Sequence, residues 1–172
     1  MDKIIKNNNT YVQYDPNVFN NFSEKLFNID YITKKGLIKS TIDGRGKTFV
    51  LNYNNEEYVL KHYIRGGMVS KLSYDKYILN SLASTRSLKE YNFLNIMHKK
   101  KLPVPKPAAL QVTMGRFTYQ ADLITCNIEN QGTLYKFVKE NRMTQALWNS
   151  LSITLNKFFQ ENVYHSDLNA KI

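Results

Sequence analysis

Two things are nearly absent from this sequence: cysteine and long apolar runs. Its single cysteine, Cys126, excludes an intrachain disulfide and favours a reducing compartment. No stretch approaches the ~20 apolar residues that a membrane-spanning helix requires. The first six residues also lack the apolar run of a secretory signal peptide. Together these absences predict a protein of the cytoplasm.

Acidic residues are scarce as well. The chain has 14 Asp and Glu against 24 Lys and Arg, which gives a formal net charge of +10. Such a surface attracts polyanions, including nucleic acid, anionic membranes and phosphorylated substrates. The short basic runs Lys34-Lys35 and Lys99-Lys100-Lys101 are typical of solvated surface, so charge alone does not choose among these partners. A length of 172 residues, without an internal repeat or a long linker, predicts one domain or slightly more.

The hydrophobic pattern predicts an α+β fold. Residues 1 to about 30, rich in Asn with scattered aromatic side chains, are expected to form an irregular arm that packs on the domain. Alternation and turn signals predict five strands, at 37–41, 48–53, 57–63, 108–113 and 117–125. Helical periodicity predicts helices at about 70–82, 84–100, 132–141 and 144–161, the last with a stripe of leucine and phenylalanine facing the core.

Gly44 and Gly46 lie between the first two predicted strands and admit two interpretations. An Asp-Gly turn that closes a hairpin is an ordinary reason for glycine at this place. Alternatively, the backbone N–H groups of a glycine-rich loop could cover nucleotide phosphates. The third glycine of the protein-kinase loop is absent, so the match to that loop is partial.

Lys61 and Glu90 are charged residues on apolar faces. Period-2 alternation places Lys61 on the same strand face as Val59 and Tyr63, and Glu90 shares a helix face with apolar residues three, four and seven positions later. An unpaired charge on an apolar face is costly, so we expect Lys61 and Glu90 to form a salt bridge, the pair that positions nucleotide phosphates in kinases. The alternatives are an edge-strand lysine that reaches water and a capping box, Ser87-x-x-Glu90.

A His-x-Asp sequence follows the last predicted helix. Phosphoryl transfer to a hydroxyl needs one carboxylate that orients the alcohol and accepts its proton, and Asp167 is placed for that role, with His165 bracing the loop. Kinase loops of this kind carry a metal-binding Asn five positions after the Asp, where this chain has Ile172. Such a sequence also occurs by chance in polar tails, so it gains meaning from the lysine and the glutamate upstream.

Six short motifs follow one another in a fixed order: Gly-Arg-Gly at 44–46, Val-Leu-Lys-His-Tyr at 59–63, Arg-Gly-Gly at 65–67, Leu-Pro-Val-Pro-Lys-Pro at 102–107, Ala-Asp-Leu-Ile-Thr at 121–125 and His-Ser-Asp-Leu-Asn-Ala at 165–170. This set resembles the bacterial lipopolysaccharide core kinases, particularly those that act on 3-deoxy-D-manno-octulosonic acid (Kdo). The resemblance implies a protein-kinase-like fold, ATP and Mg²⁺ as cofactors, and γ-phosphate transfer to a hydroxyl of Kdo-lipid A. It also implies peripheral association with the anionic cytoplasmic face of the inner membrane, without a nucleic-acid partner.

The resemblance also implies roles and boundaries. An N-terminal arm covers 1–30, a small lobe of five antiparallel strands and a C-type helix covers 31–125, and the beginning of a helical large lobe covers 126–172. A hinge is expected at residues 122–125, where backbone groups would hold adenine. The implied site residues are Asp167 as catalytic base, His165 and Asn169 in its loop, Lys61 and Glu90 as the phosphate-positioning pair, and Gly44 and Gly46 as the phosphate loop.

One position departs from the family pattern. Ile172 stands where Asn is expected and the sequence ends there, so we expect a truncated chain that is weakly active or inactive. Two other hypotheses compete with a Kdo kinase: a non-catalytic basic module for nucleic acid or anionic membrane, and a kinase of another sugar such as heptose. Lys61 with Glu90 discriminates against the module, which has no need of an acid on the apolar face of a helix.

Overall fold

The computed structural model describes residues 1–19, 21–42, 47–64, 75–164 and 168 of the chain. Its strands are β1 (Lys3–Asn7), β2 (Thr10–Tyr14), β3 (Ile38–Ile42), β4 (Lys47–Tyr53), β5 (Glu56–His62), β6 (Tyr77–Ile78), β7 (Pro107–Met114) and β8 (Thr118–Cys126). They form one sheet in the order β1-β2-β7-β8-β5-β4-β3, with β6 paired to the start of β8, and every pairing is antiparallel. β8 is therefore a central strand.

The five strands predicted from the sequence are β3, β4, β5, β7 and β8, each within a residue or two of its expected bounds. The β4–β5 hairpin turns at Asn54 and Asn55, whose φ angles are 56° and 64°. Asparagine tolerates this left-handed region better than most residues. Among the described residues the sheet nevertheless has eight strands rather than five, because β1, β2 and β6 join the predicted set.

The first 30 residues are not the irregular arm that we expected. β1 and β2 form a hairpin that pairs with β7, and a 3₁₀ turn (Glu24–Phe27) and helix α1 (Ile29–Lys34) follow. The expected packing of its aromatic side chains is present: Phe19 and Phe27 are buried, and Phe19 stacks on Tyr58 with ring centroids 4.4 Å apart. The N-terminal segment is thus part of the core.

This core lies on one face of the sheet. Tyr58 and Leu60 of β5, Ile124 of β8 and Val12 of β2 point to the face that the segment with Phe19, Leu26, Phe27 and Ile32 covers. Because side chains alternate along a strand, Lys61 and Leu123 point to the opposite face. We call the first the core face and the second the helix face, since helix α2 lies against it.

Helix α2 (Arg86–Lys99) is held to the sheet by polar contacts as well as by apolar ones. The Ser87 hydroxyl donates to the Gln111 carbonyl at 3.3 Å, and the Arg86 N–H donates to the Tyr119 hydroxyl at 3.2 Å. Tyr91, fully buried, donates to the Asp2 carboxylate at 3.0 Å. These contacts orient α2 through both the sheet and the N-terminal hairpin.

Several helix predictions need correction. Phe93, expected on the buried face of α2, is 48% exposed. The helix expected at 70–82 is not seen in the part that the structure describes, because Tyr77–Ile78 pairs with β8 as a strand. Residues 65–74 lie outside the described ranges.

The chain divides into two compact units, residues 1–96 with 105–127, and residues 97–104 with 128–172. The second unit contains α3 (Leu134–Lys139) and α4 (Gln145–Gln160), which Thr133 and Thr144 cap at their N-termini as expected for threonine. The apolar stripe of α4, predicted to be core, has no buried side chain. Within the described ranges, no helix is both long enough and apolar enough to cross a lipid bilayer.

Candidate active site

Lys61 and Glu90 form the salt bridge that the sequence predicts. The Lys61 ammonium lies 3.0 Å from Glu90 Oε1 and 3.1 Å from Oε2. Lys61 is at the end of β5 on the helix face, and Glu90 is in α2, beyond the first helical turn. The carboxylate bonds to side chains of the strand, so the geometry favours the pair over the capping box.

The pair is accessible from solvent. Its side chains are 43% and 37% exposed, so the ammonium can meet an anionic ligand without any rearrangement of the core. Lys61 has three N–H donors, and the contacts with Glu90 leave donor capacity for phosphate oxygens. The residues present therefore fit the phosphates of a nucleotide at this edge of the helix face.

A third residue completes the arrangement around Glu90. Tyr63, just beyond β5, donates its hydroxyl to Glu90 Oε2 at 2.5 Å. Its ring centroid lies 4.7 Å from the Lys61 ammonium, within the range of a cation–π contact. The sequence pattern had placed Tyr63 on the face of Lys61, but it gave no sign of a contact with Glu90.

The remaining predicted site residues lie outside the described ranges. They are Gly44, Gly46, His165, Asp167, Asn169 and Ile172. Their roles stay predictions. Among the residues that are described, no three His, Cys, Asp or Glu side chains come together in a way that could hold a metal ion.

The hinge expected at residues 122–125 is wrong. These residues lie inside β8 and pair with β5 on one side and with β7 on the other. Backbone groups that serve two strand ladders are not available to hold adenine edges. The chain leaves the sheet after Cys126, and the boundary between the two compact units falls at Asn127.

A second polar cluster lies on the core face, on the other side of the sheet from the Lys61–Glu90 pair. His62 and Asp122 face each other across β5 and β8, with Nδ1 of His62 2.6 Å from Asp122 Oδ1, and Nε2 lies 3.6 Å from Asp75. The hydrogen bond to the Asp122 carboxylate raises the pKa of His62. Burial raises the pKa of Asp122, and the hydrogen bond from His62 opposes that rise. This pair was not predicted from the sequence.

A cavity of about 410 Å³ opens beside this cluster. Polar residues of the core face and the start of α1 line it, among them Asn28, Asp30, His62, Gln111, Gln120 and Asp122. Three of these polar groups have partners of their own, because His62 bonds to Asp122 and Gln120 donates to Asp75. The cavity does not include Lys61 or Glu90, so it is separate from the pair on the helix face.

A strand lysine paired with a helix glutamate is the arrangement with which protein-kinase-like phosphotransferases position nucleotide phosphates. Residues 30–172 match the model of the lipopolysaccharide kinase (Kdo/WaaP) family, and the chain belongs to that family. No solved structure matches the chain.

Curated relatives carry a more specific name. The chain is 30% identical over 168 residues to the 3-deoxy-D-manno-octulosonic acid kinase of Photobacterium damsela subsp. piscicida, an alignment that covers 97% of this chain and 70% of the relative. It is 31% identical to the kinase of the same name from Haemophilus influenzae, over 85% of this chain and 63% of the relative. It is 32% identical to the kinase of the same name from Mannheimia succiniciproducens, over 86% of this chain and 63% of the relative. The chain thus spans 63–70% of the length of these relatives.

Proposed function

We propose that the protein is an ATP-dependent kinase that phosphorylates a hydroxyl of the Kdo sugar of Kdo-lipid A. The observation that carries the proposal is the Lys61–Glu90 contact at 3.0 Å, in a chain of the lipopolysaccharide kinase family. The name shared by the curated relatives supports Kdo as the acceptor sugar. A module that only binds polyanions gives no reason for an acid beside this lysine, so the contact favours the kinase.

The site residues take the following roles in this proposal. Lys61 donates to nucleotide phosphates while Glu90 holds its ammonium in place, and Gly44 and Gly46 cover the same phosphates from the β3–β4 connection. Asp167 accepts the proton of the acceptor hydroxyl as that oxygen bonds to the γ-phosphorus and ADP leaves, with His165 and Asn169 in its loop. Mg²⁺ bound with ATP supplies positive charge near the transferred phosphoryl group.

The fold assignment is part of the proposal. In a protein-kinase-like chain, residues 31–125 make the small lobe and residues 126–172 begin the large lobe. The β3-β4-β5 meander followed by α2, β7 and β8 supports this assignment. The N-terminal hairpin is then an addition to the outer edge of the small-lobe sheet, next to β7.

The proposal places the protein peripherally at the cytoplasmic face of the inner membrane. Kdo-lipid A is a membrane lipid, so an enzyme that acts on it must reach the bilayer surface. The net charge of +10 supports attraction to anionic lipids at that surface.

Phosphate transfer to purified Kdo-lipid A tests the function. The protein, Mg²⁺ and ATP labelled at the γ-phosphate should transfer label to Kdo-lipid A, but only weakly, because Ile172 stands where kinase loops carry a metal-binding Asn. Lipid A without Kdo should stay unlabelled. Lys61→Met should reduce transfer by about 100-fold or more, the scale expected when one group that stabilises transition-state charge is removed. Its effect on stability should stay below about 1 kcal/mol, because both partners are more than a third exposed.

Lys39 provides a matched control. It lies in β3 and pairs with Glu57 of β5, so it is also a strand lysine bonded to a glutamate, but it is 58% exposed and belongs to another part of the sheet. Lys39→Met should leave transfer unchanged. Equal loss in the Lys39 and Lys61 variants, or label on lipid A without Kdo, would contradict the proposal.

A further inference from the structure

Tyr63 is the best-anchored member of the group around Glu90. It is 6% exposed, and its backbone N–H donates to the Ala121 carbonyl at 3.1 Å, which extends the β5–β8 pairing by one residue. A tyrosine side chain has two rotatable χ angles, whereas lysine and glutamate side chains have more. Among Tyr63, Lys61 and Glu90, Tyr63 is therefore both the least flexible side chain and the most buried one.

The Glu90 carboxylate accepts hydrogen bonds from two side chains, those of Lys61 and Tyr63. Oε1 accepts from Lys61, and Oε2 accepts from both Lys61, at 3.1 Å, and Tyr63, at 2.5 Å. Burial and the nearby Glu90 charge raise the pKa of Tyr63, so its hydroxyl stays protonated and acts as a hydrogen-bond donor to Glu90. A neutral donor fixes the carboxylate without cancelling the charge that attracts Lys61.

The ring of Tyr63 acts on Lys61 directly. The ammonium lies 4.7 Å from the ring centroid, a distance at which the π-face attracts a cation. Tyr63 thus contacts both members of the salt bridge, the carboxylate through its hydroxyl and the ammonium through its ring. An exposed Lys–Glu pair by itself loses much of its Coulomb energy to solvent screening and to side-chain entropy, and a buried anchor restricts that freedom.

We propose that Tyr63 is a positioning residue for nucleotide phosphates: it fixes the orientation of Glu90, and through Glu90 and its own ring it fixes the Lys61 ammonium. This inference rests on the proposed function, because it needs a nucleotide at Lys61. It adds a residue of the β5 end to the phosphate-positioning pair. A purely structural role, in which Tyr63 only fills space in the sheet, requires the ring but not the hydroxyl.

Tyr63→Phe separates the two roles, since it removes the hydroxyl and keeps the ring. We expect the dissociation constant for MgATP, measured by isothermal titration calorimetry, to rise about tenfold, the scale of one hydrogen bond to a charged group. In the transfer assay, kcat/KM for ATP should fall by a similar factor while KM for Kdo-lipid A stays constant. If Tyr63 only fills space, neither the dissociation constant for MgATP nor kcat/KM for ATP should change.

Tyr58→Phe is the matched control. Tyr58 lies in β5 on the core face, is 4% exposed and donates its hydroxyl to the Val18 carbonyl at 3.2 Å. Removal of that hydroxyl should leave MgATP affinity unchanged. Far-UV circular dichroism and urea unfolding of each variant would show whether any loss of affinity reflects unfolding.

A double-mutant cycle tests the route of the effect. If Tyr63 acts through Glu90, Tyr63→Phe should weaken MgATP binding in the wild-type background and have little further effect beside Glu90→Gln. Wild-type affinity in Tyr63→Phe, or full additivity with Glu90→Gln, would overturn the inference.

The outcomes also separate this inference from the proposed function. Transfer to Kdo-lipid A by the wild type with no effect of Tyr63→Phe overturns the inference and leaves the function standing. No transfer to Kdo-lipid A, together with MgATP binding that Tyr63→Phe weakens, overturns the acceptor assignment and supports the inference. Failure of the wild-type protein to bind MgATP would overturn both.

Discussion

His62→Ala should destabilise the protein much more than Lys61→Met, although the two residues are neighbours in β5. His62 and Asp122 lie 2.6 Å apart with side chains 17% and 9% exposed. Removing the imidazole leaves the Asp122 carboxylate buried without its charged partner, which typically costs about 3–5 kcal/mol. The Lys61–Glu90 pair is 43% and 37% exposed, and such pairs contribute about 0–1 kcal/mol.

Urea unfolding and thermal unfolding, each followed by far-UV circular dichroism, measure the changes in unfolding free energy and in Tm of both variants. For a chain of this size, 1 kcal/mol corresponds to roughly 2–4 °C in Tm, so His62→Ala should lower Tm by roughly 6–20 °C. The double variant His62→Ala, Asp122→Ala should be less destabilised than the sum of the single variants, because the uncompensated charge is then gone. Loss of less than about 1 kcal/mol in His62→Ala would refute the reasoning.

The pH dependence of the same experiment has a defined sign. The pKa of His62 is raised above its ordinary value of 6.5 by the hydrogen bond to Asp122. The folded state therefore binds a proton more tightly than the unfolded state, and stability falls as pH rises. The contribution of His62 should be complete below pH 6.5 and should be lost as pH rises through the folded-state pKa. A stability difference between wild type and His62→Gln that grows over this range would contradict the assignment.

Two further predictions concern the N-terminal segment and the membrane. Phe19→Ala should cost about 3–5 kcal/mol of unfolding free energy, because Phe19 is 3% exposed and stacks on Tyr58 in the core; the control Phe93→Ala, at a position 48% exposed, should change stability by less than about 0.5 kcal/mol. The protein should co-sediment with vesicles containing anionic lipid at low salt and be released near 1 M salt, where the Debye length falls to about 3 Å, whereas phosphatidylcholine vesicles should not retain it. Binding to anionic vesicles that survives 1 M salt would show that apolar insertion, rather than charge, holds the protein there.

The strands that were predicted correctly are those with local signals. β4 and β5 carry β-branched and aromatic residues on both sides of Asn54-Asn55, so strand composition and turn chemistry agree. β1 and β2 also contain β-branched and aromatic residues, but asparagines surround them and β2 pairs with β7, some 100 residues further along the chain. Pairing over that distance depends on burial in the finished sheet, which a local pattern does not contain.

The same limit applies to the two polar pairs. Lys61–Glu90 was predictable because each residue interrupted an apolar face, and each therefore needed a partner. His62 shares the period-2 face of Tyr58 and Leu60, which are buried, and this was a usable sign that His62 faces the core. Its partner was not predictable, because only the β5–β8 register places Asp122 opposite His62. The hinge prediction failed for the same reason, since nothing local shows that residues 122–125 have strands on both sides.

At the end of β5, side chains on the two faces of the strand have different roles. Those on the core face stabilise the fold, whereas Lys61 lies on the helix face. Leu60 and His62 point to the core face, where one is buried among apolar residues and the other is bonded to Asp122. These flanking contacts fix the backbone on both sides of Lys61, so its Cα position does not depend on its own salt bridge. Lys61 can therefore stay exposed and exchange part of its bonding with Glu90 for bonds to a ligand without loss of the fold. If this separation holds, substitutions of Lys61 should change nucleotide affinity at nearly constant stability, and substitutions of Leu60 and His62 should change stability first.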